Sequence, residues 1–171
     1  MSNTWLSSLV SKHSTSGIVL DSNLLFVYCI GLLDPNLVGS EKRTREYTPT
    51  DFRLIDQFLG KFVRIITTPN ILTEVSNLAN QLRDSIRLLH RQMIRDKLLA
   101  VFEERYIATT IASQHSVYDR LGVTDAAIAV LAAEGCLVLT NDLDLSLMLE
   151  HRRTDCVRYD RHLRPLVLMS E

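Results

Sequence analysis

The chain has 171 residues, 46% of them hydrophobic, which is enough to fill one core and too apolar for a disordered chain. Its 19 basic and 20 acidic residues leave a net charge of −1, so the overall charge does not mark a nucleic-acid binder and only local clusters can do so. The longest apolar run, residues 24–33, falls well short of the roughly 20 needed to cross a bilayer, and no charged segment followed by a long apolar core opens the chain; no membrane and a cytoplasmic location are expected.

The N-terminal residues are polar with apolar anchors at Trp5, Leu6, Leu9 and Val10, and suit a short helix. Residues 17–20 (GIVL) predict a strand. Asp21, Ser22 and Asn23 then cap an apolar helix running to about residue 33. Residues 34–50 carry Pro35, Gly39 and Pro49 and predict a loop long enough to be functional. A helix over 51–59 and a strand over 62–66 follow, and Thr67-Thr68-Pro69-Asn70 opens a helix containing Glu74.

From 71 to 105 the apolar stripe Leu78, Leu82, Ile86, Leu89, Met93 advances by four or three and predicts one long helical tract. A shorter helix is expected over 107–120. Gly122-Val123-Thr124-Asp125 breaks it and starts another that Gly135 ends. The strand 136–140, the acids Asp142 and Asp144, a short helix and a strand near 156–159 complete the chain. Strands that are apolar throughout, alternating with helices, predict an α/β fold with a parallel sheet covered on both faces. One domain spanning 1–171 is expected.

In such sheets ligands bind at the carboxyl ends of the strands. Asp21 follows the first strand and Asp142 and Asp144 follow the strand 136–140, while Glu74 and Asp125 sit in the first turns of helices. Each acid alone has a plain role as a helix cap or dipole partner. Together, at one sheet edge, they would repel one another, and a divalent cation is the simplest compensation. All-oxygen ligation suits Mg²⁺ or Mn²⁺ over zinc, with Asn23 and Thr140 as neutral donors on the rim.

Other chemistries find little support. There is no G-x-S-x-G elbow, P-loop, G-x-G-x-x-G or H-E-x-x-H, and the five histidines form no metal spacing. A phosphatase with an aspartyl nucleophile at Asp21 would want a second Asp two residues on, where Asn23 stands. Cys29, Cys136 and Cys156 lie far apart in apolar runs and read as core residues in a reducing compartment.

The blocks IVLDSN (18–23), PNILTEV (69–75), LGVTDAAI (121–128) and VLTNDLDL (138–145), in this order, resemble the PIN-domain family, and the VapC-type toxin ribonucleases in particular. The resemblance covers residues 17–160. It implies a three-layer α/β/α sandwich with a central parallel sheet and Mg²⁺- or Mn²⁺-dependent endonucleolytic cleavage of RNA. Asp21, Glu74, Asp125 and Asp142 would be the acidic quartet, Asp144 a further acid of the last block, and Thr140 the hydroxyl residue before it. A small antitoxin protein and a homodimer are the partners implied. The 51 residues from Glu74 to Asp125 and the loop 34–50 are long for the pattern, and either can alter substrate access.

For the substrate, Arg83, Arg87, Arg91 and Arg95 fall at steps of four and form a ridge, either a solvated face or a set of phosphate contacts. Lys42, Arg43 and Arg45 charge the loop. The C-terminal arginines 152, 153, 158, 161 and 164 either flank the site or cover a surface. The rival from another class is a PIN-like module that binds RNA or protein with little catalysis; four intact acidic positions argue against it.

Overall fold

The computed structural model describes residues 3–168. In chain order the elements are α1 (Asn3–His13), β1 (Ile18–Leu20), α2 (Ser22–Leu33), α3 (Pro49–Leu59), β2 (Ile65–Thr67), α4 (Pro69–Ala79), α5 (Asp84–Met93), α6 (Leu99–Val101), β3 (Glu103–Glu104), α7 (Thr109–Ala112), α8 (Tyr118–Leu121), α9 (Val123–Ala133), β4 (Leu137–Thr140), α10 (Leu143–His151), β5 (Cys156–Arg158) and α11 (Arg164–Leu168). The five strands form one parallel sheet in the order β3-β2-β1-β4-β5. It is a three-layer α/β/α sandwich, with α2 packed on α3, α4 and α5, and α9 on α7, α8 and α10.

The central strands are short and wholly apolar because helices cover both faces. Val19 lies opposite Ile66 on one side and Val138 on the other, and all three are buried. The helix α2 is apolar around its circumference and is correspondingly buried from Leu24 to Gly31. Gly31 lets α3 approach: a Cβ there would stand 2.1 Å from the Phe52 ring. Gly17 turns the chain into β1 with φ of 99°, and a Cβ would meet the Arg64 carbonyl at 2.8 Å.

The chain runs from β1 outward through β2 to β3, then crosses back to place β4 against the other side of β1. The direction reverses between β1 and β4. In open α/β sheets that reversal opens a crevice beyond the carboxyl ends of the two strands. Asp21 follows β1 there, and Thr140 ends β4.

The tract 71–105 is not one helix. It is α4, a turn around Asn80–Leu82, α5, a π-helical stretch over Ile94–Leu98, α6, and the edge strand β3. No Gly or Pro marks the break. Asn80 ends α4 by donating its backbone N–H to the Asn77 and Leu78 carbonyls, and Leu82 buries itself on the far side of the turn. The predicted strand 62–66 is displaced to Ile65–Thr67, and the predicted helix 107–120 is the two short helices α7 and α8.

His90 on α5 is fully buried, packs its ring 5.7 Å from that of Phe26, and has no hydrogen-bond partner on either ring nitrogen among the described residues. Burial and the neighbouring Arg91 push its pKa down to about 4, so it is held neutral. An unsatisfied buried imidazole is costly, and the depressed pKa adds a cost below the ordinary value of 6.5 that fades as pH rises through it. His90→Leu is therefore expected to stabilise the fold by about 1 kcal/mol at pH 8 and by more at pH 5. Denaturant melts at the two pH values check this; equal effects at both would refute the buried neutral state.

Candidate active site

Asp21 is built into the crevice from both strands. It is 4% exposed and serves as N-cap of α2. One carboxylate oxygen, Oδ1, accepts the Leu24 backbone N–H at 2.7 Å. The other, Oδ2, accepts the Thr140 hydroxyl and the Asn141 backbone N–H, the latter at 2.9 Å. Burial nevertheless raises its pKa; these three donors pull it down, and the Asp142 charge adds to the rise.

Thr140, fully buried at the end of β4, joins two acids. Its hydroxyl donates to Asp21 and accepts the Asp142 backbone N–H at 2.8 Å. Asp142 in turn caps α10, with Oδ1 accepting from Leu145 N at 2.9 Å. Thr140→Val removes a donor from Asp21 and an acceptor from Asp142 N–H with almost no change of shape. It is expected to cost about 1–2 kcal/mol, while Thr140→Ser keeps most of that stability. Chemical denaturation of the pair is the check, and a larger loss for Thr140→Ser than for Thr140→Val would mean that the methyl group, not the hydroxyl, matters.

Asp125 differs from these two. Gly122, with φ of 88°, stands at the N-cap of α9 and no side chain caps that helix. The Asp125 carboxylate is partly buried and has no hydrogen bond or ion pair among the described residues. Burial, then the charges of Asp142, Asp21 and Glu74, push its pKa up to about 7. Asp125 thus feels all three other acids. Glu74 is exposed on α4, which packs against α9.

The remaining predicted residues divide. Asn23 is exposed and lines a cavity beside Asp142. Asp144 is exposed and pairs with Arg120 at 2.9 Å. Arg83 pairs with the buried Glu41 at 2.7 Å, Arg87 with Asp84 at 2.6 Å, and Arg95 with Asp96 at 2.6 Å. Arg91 donates to the Asn80 side chain at 3.3 Å. The ridge thus ties the α4–α5 turn and the loop 34–50 instead of presenting free guanidinium groups. Among the C-terminal arginines, Arg158 pairs with Asp160, while Arg164 reaches Asp51 at 3.0 Å and the Glu46 carbonyl at 2.8 Å.

Two residues at the site carry no sequence signal beyond their place in the long loop or beside the acids. Tyr47 is buried and accepts a hydrogen bond from the Asn141 amide at 3.1 Å. Asn141, between Thr140 and Asp142, also accepts the Asp160 backbone N–H at 3.3 Å.

The donor chemistry fits a hard divalent cation: four carboxylates, one amide and a hydroxyl, with a carboxylate at Asp125 whose charge nothing offsets. As the side chains stand, no group of three acids, imidazoles or thiols among the described residues is gathered closely enough to grip one ion. Both oxygens of Asp21 are engaged, Oδ1 by the Leu24 N–H and Oδ2 by Thr140 and Asn141, whereas Asp142 commits only Oδ1, to capping its helix, and its second oxygen has no hydrogen-bond partner among the described residues. In comparisons with known proteins, the chain matches no family model and no curated sequence.

Proposed function

We propose that the protein is a divalent-metal-dependent endoribonuclease, hydrolysing RNA phosphodiester bonds at the crevice between β1 and β4. The observation that carries this reading is that Thr140 joins Asp21 to Asp142 where the sheet order reverses, with Asp125 near enough to feel both of them and Glu74. Capping explains Asp21 and Asp142 individually; it does not explain Asp125, which caps nothing. The same four residues are those that the PIN-domain resemblance assigns, so position, charge and motif agree.

Asp21 and Asp125 would hold Mg²⁺ or Mn²⁺ directly, with Glu74 and Asp142 as further ligands or as holders of its waters. When bound, the cation supplies charge to a phosphoryl oxygen and a water of lowered pKa. The chain supplies the rest. Thr140, Leu24 N–H and Asn141 N–H fix the Asp21 carboxylate in one orientation. Partial burial limits water around Asp125. Asp142 or Glu74 would take a proton from an attacking water where it is not itself a ligand.

The toxin of a toxin–antitoxin pair is the finer reading we adopt, with a small antitoxin covering the acidic crevice, a homodimer as the resting form, and a cytoplasmic site of action. Among the described residues no helix is long and apolar enough to cross a membrane. The test is purified wild type beside Asp21→Asn on labelled single-stranded and structured RNAs, with Mn²⁺, Mg²⁺ or EDTA. Cleavage that needs metal and is lost in the variant supports the proposal. A folded wild type that neither cleaves nor melts higher with either metal would instead make the protein an RNA- or protein-binding module.

A further inference from the structure

A cavity of about 220 Å³ adjoins the acids, walled by Asn23, Phe26, Arg43, Glu46, Tyr47 and Asp142. It is smaller than the roughly 300–1,000 Å³ of pockets that enclose a whole drug-sized ligand, and its scale suits one ring system. Phe26 and Tyr47 provide apolar surface. The charged groups are of both signs and are not paired with each other, while Asn141, also on the wall, donates to the Tyr47 hydroxyl. The Asn23 amide and the Glu46 carboxylate have no hydrogen-bond or ion-pair partner among the described residues. Arg43 uses only Nε, toward Gln81 at 3.0 Å, which leaves both terminal nitrogens for a ligand.

The wall is held in place. The loop 34–50 that forms it is tied by Glu41 to Arg83, by the Thr44 hydroxyl to the Gly39 N–H at 3.1 Å, by Tyr47 to Asn141, and by the Glu46 carbonyl to Arg164. At the far side Thr48 and Asp51 form a capping box that starts α3. A long loop fixed at both flanks and the middle is a preformed surface, and rigid surroundings are what a reading pocket requires.

We infer that this cavity is a base-reading subsite for an unstacked guanine next to the scissile phosphate. The inference rests on the nuclease reading for the role of the acids. A guanidinium donates to guanine O6 and N7 as a pair, and a carboxylate accepts the neighbouring N1–H and N2–H₂ as a second pair. No other RNA base presents both edges. The Asn23 amide can serve either edge. A base enters such a pocket only from a single strand, so the substrate class is a single-stranded or looped RNA cut beside guanosine. Asp142, shared by the cavity wall and the acid group, sets the short distance between base and reacting phosphate.

The test has two arms. In the first, Asp125→Asn protein is titrated with each of the four nucleoside 5′-monophosphates without metal and followed by two-dimensional NMR. The guanosine nucleotide is expected to bind at least about 10-fold tighter than the others, and Glu46→Gln in that background is expected to erase the preference. Equal binding of all four, no binding, or a preference that survives Glu46→Gln overturns the subsite. In the second, wild type and Glu46→Gln cut a randomised single-stranded RNA pool with Mn²⁺, and the sites are read by sequencing. Cleavage without enrichment of guanosine overturns the subsite and leaves the nuclease standing. Guanosine-selective binding by a wild type that cuts nothing retains the subsite and sinks the nuclease reading. Phe58→Leu, remote from the cavity, controls for general loosening of the fold.

Discussion

Replacing Asp125 by Asn is expected to lower metal-dependent RNA cleavage by at least about 100-fold and, in the same protein, to raise the melting temperature at pH 8. The two effects have one cause. The Asp125 carboxylate is partly buried, unpaired among the described residues, and repelled by the charges of Asp142, Asp21 and Glu74. Without a cation its charge is a liability to the fold. With one it is a ligand. Asn keeps the shape, removes the charge, and removes most of the affinity for a hard cation. Asp21→Asn should also abolish cleavage, but it should destabilise. Its amide NH₂ would face the donors Thr140 Oγ and Asn141 N–H or, flipped, the Leu24 N–H, leaving buried groups unsatisfied at about 1–3 kcal/mol. The pair is measured by cleavage assays and thermal melts side by side. A variant at position 125 that is both inactive and less stable at pH 8 would mean that Asp125 is a structural residue with an undetected partner.

The second large effect is in the pH dependence of stability. Asp125 moves from its ordinary 3.8 to about 7 in the folded state, chiefly through burial and then through the three neighbouring charges. Between those values the folded state holds a proton that the unfolded state has released, so stability falls as pH rises from about 4 to 7. After discounting for its contact with solvent, the loss is about 3 kcal/mol. His90 acts in the opposite sense across pH 4 to 6.5, because its folded pKa is depressed and the unfolded state is the one that binds the extra proton. The wild-type curve alone would therefore mix the two. The difference between wild type and Asp125→Asn isolates the carboxylate, since both proteins keep His90. In EDTA that difference should be near zero at pH 4.5 and favour the variant at pH 8. Saturating Mn²⁺ should reverse it at pH 8, as metal binding favours the ionised acid; at 100 times Kd a ligand adds about 2.7 kcal/mol. A flat difference curve, or one that Mn²⁺ leaves unchanged, would remove both the charge coupling and the cation.

Much of the architecture was legible from local signals. Apolar runs at 17–20 and 136–140 predict buried strands, and Asp21 and Asp142 predict the helix starts that follow them. The structure places β1, β4, α2 and α10 there, with both acids as N-caps. These signals act within a few residues, where capping geometry and burial pattern are fixed by the chain itself. The same reasoning put Asp21, Glu74, Asp125 and Asp142 at one edge, because a parallel sheet brings every strand's carboxyl end to the same side.

What the tertiary structure alone decided is where side chains go once distant segments meet. The arginine spacing predicts a ridge on one continuous helix; the π-helical stretch over Ile94–Leu98 interrupts it before Arg95, and Arg83 finds Glu41, 42 residues away. Asp144, two residues after Asp142, caps no helix and pairs with Arg120 on another helix. Strand β3, two charged residues long, has no apolar pattern and exists because Ile66 and Thr67 offer it a partner edge. Tyr47 meets Asn141 across 94 residues of sequence, closing the cavity beside the acids. Caps and buried runs are local, so the strands β1 and β4 and the helix starts after them can be read from the chain alone. Ion pairs, edge pairing and cavity walls join residues far apart in the chain, and only the folded chain selects among their possible partners.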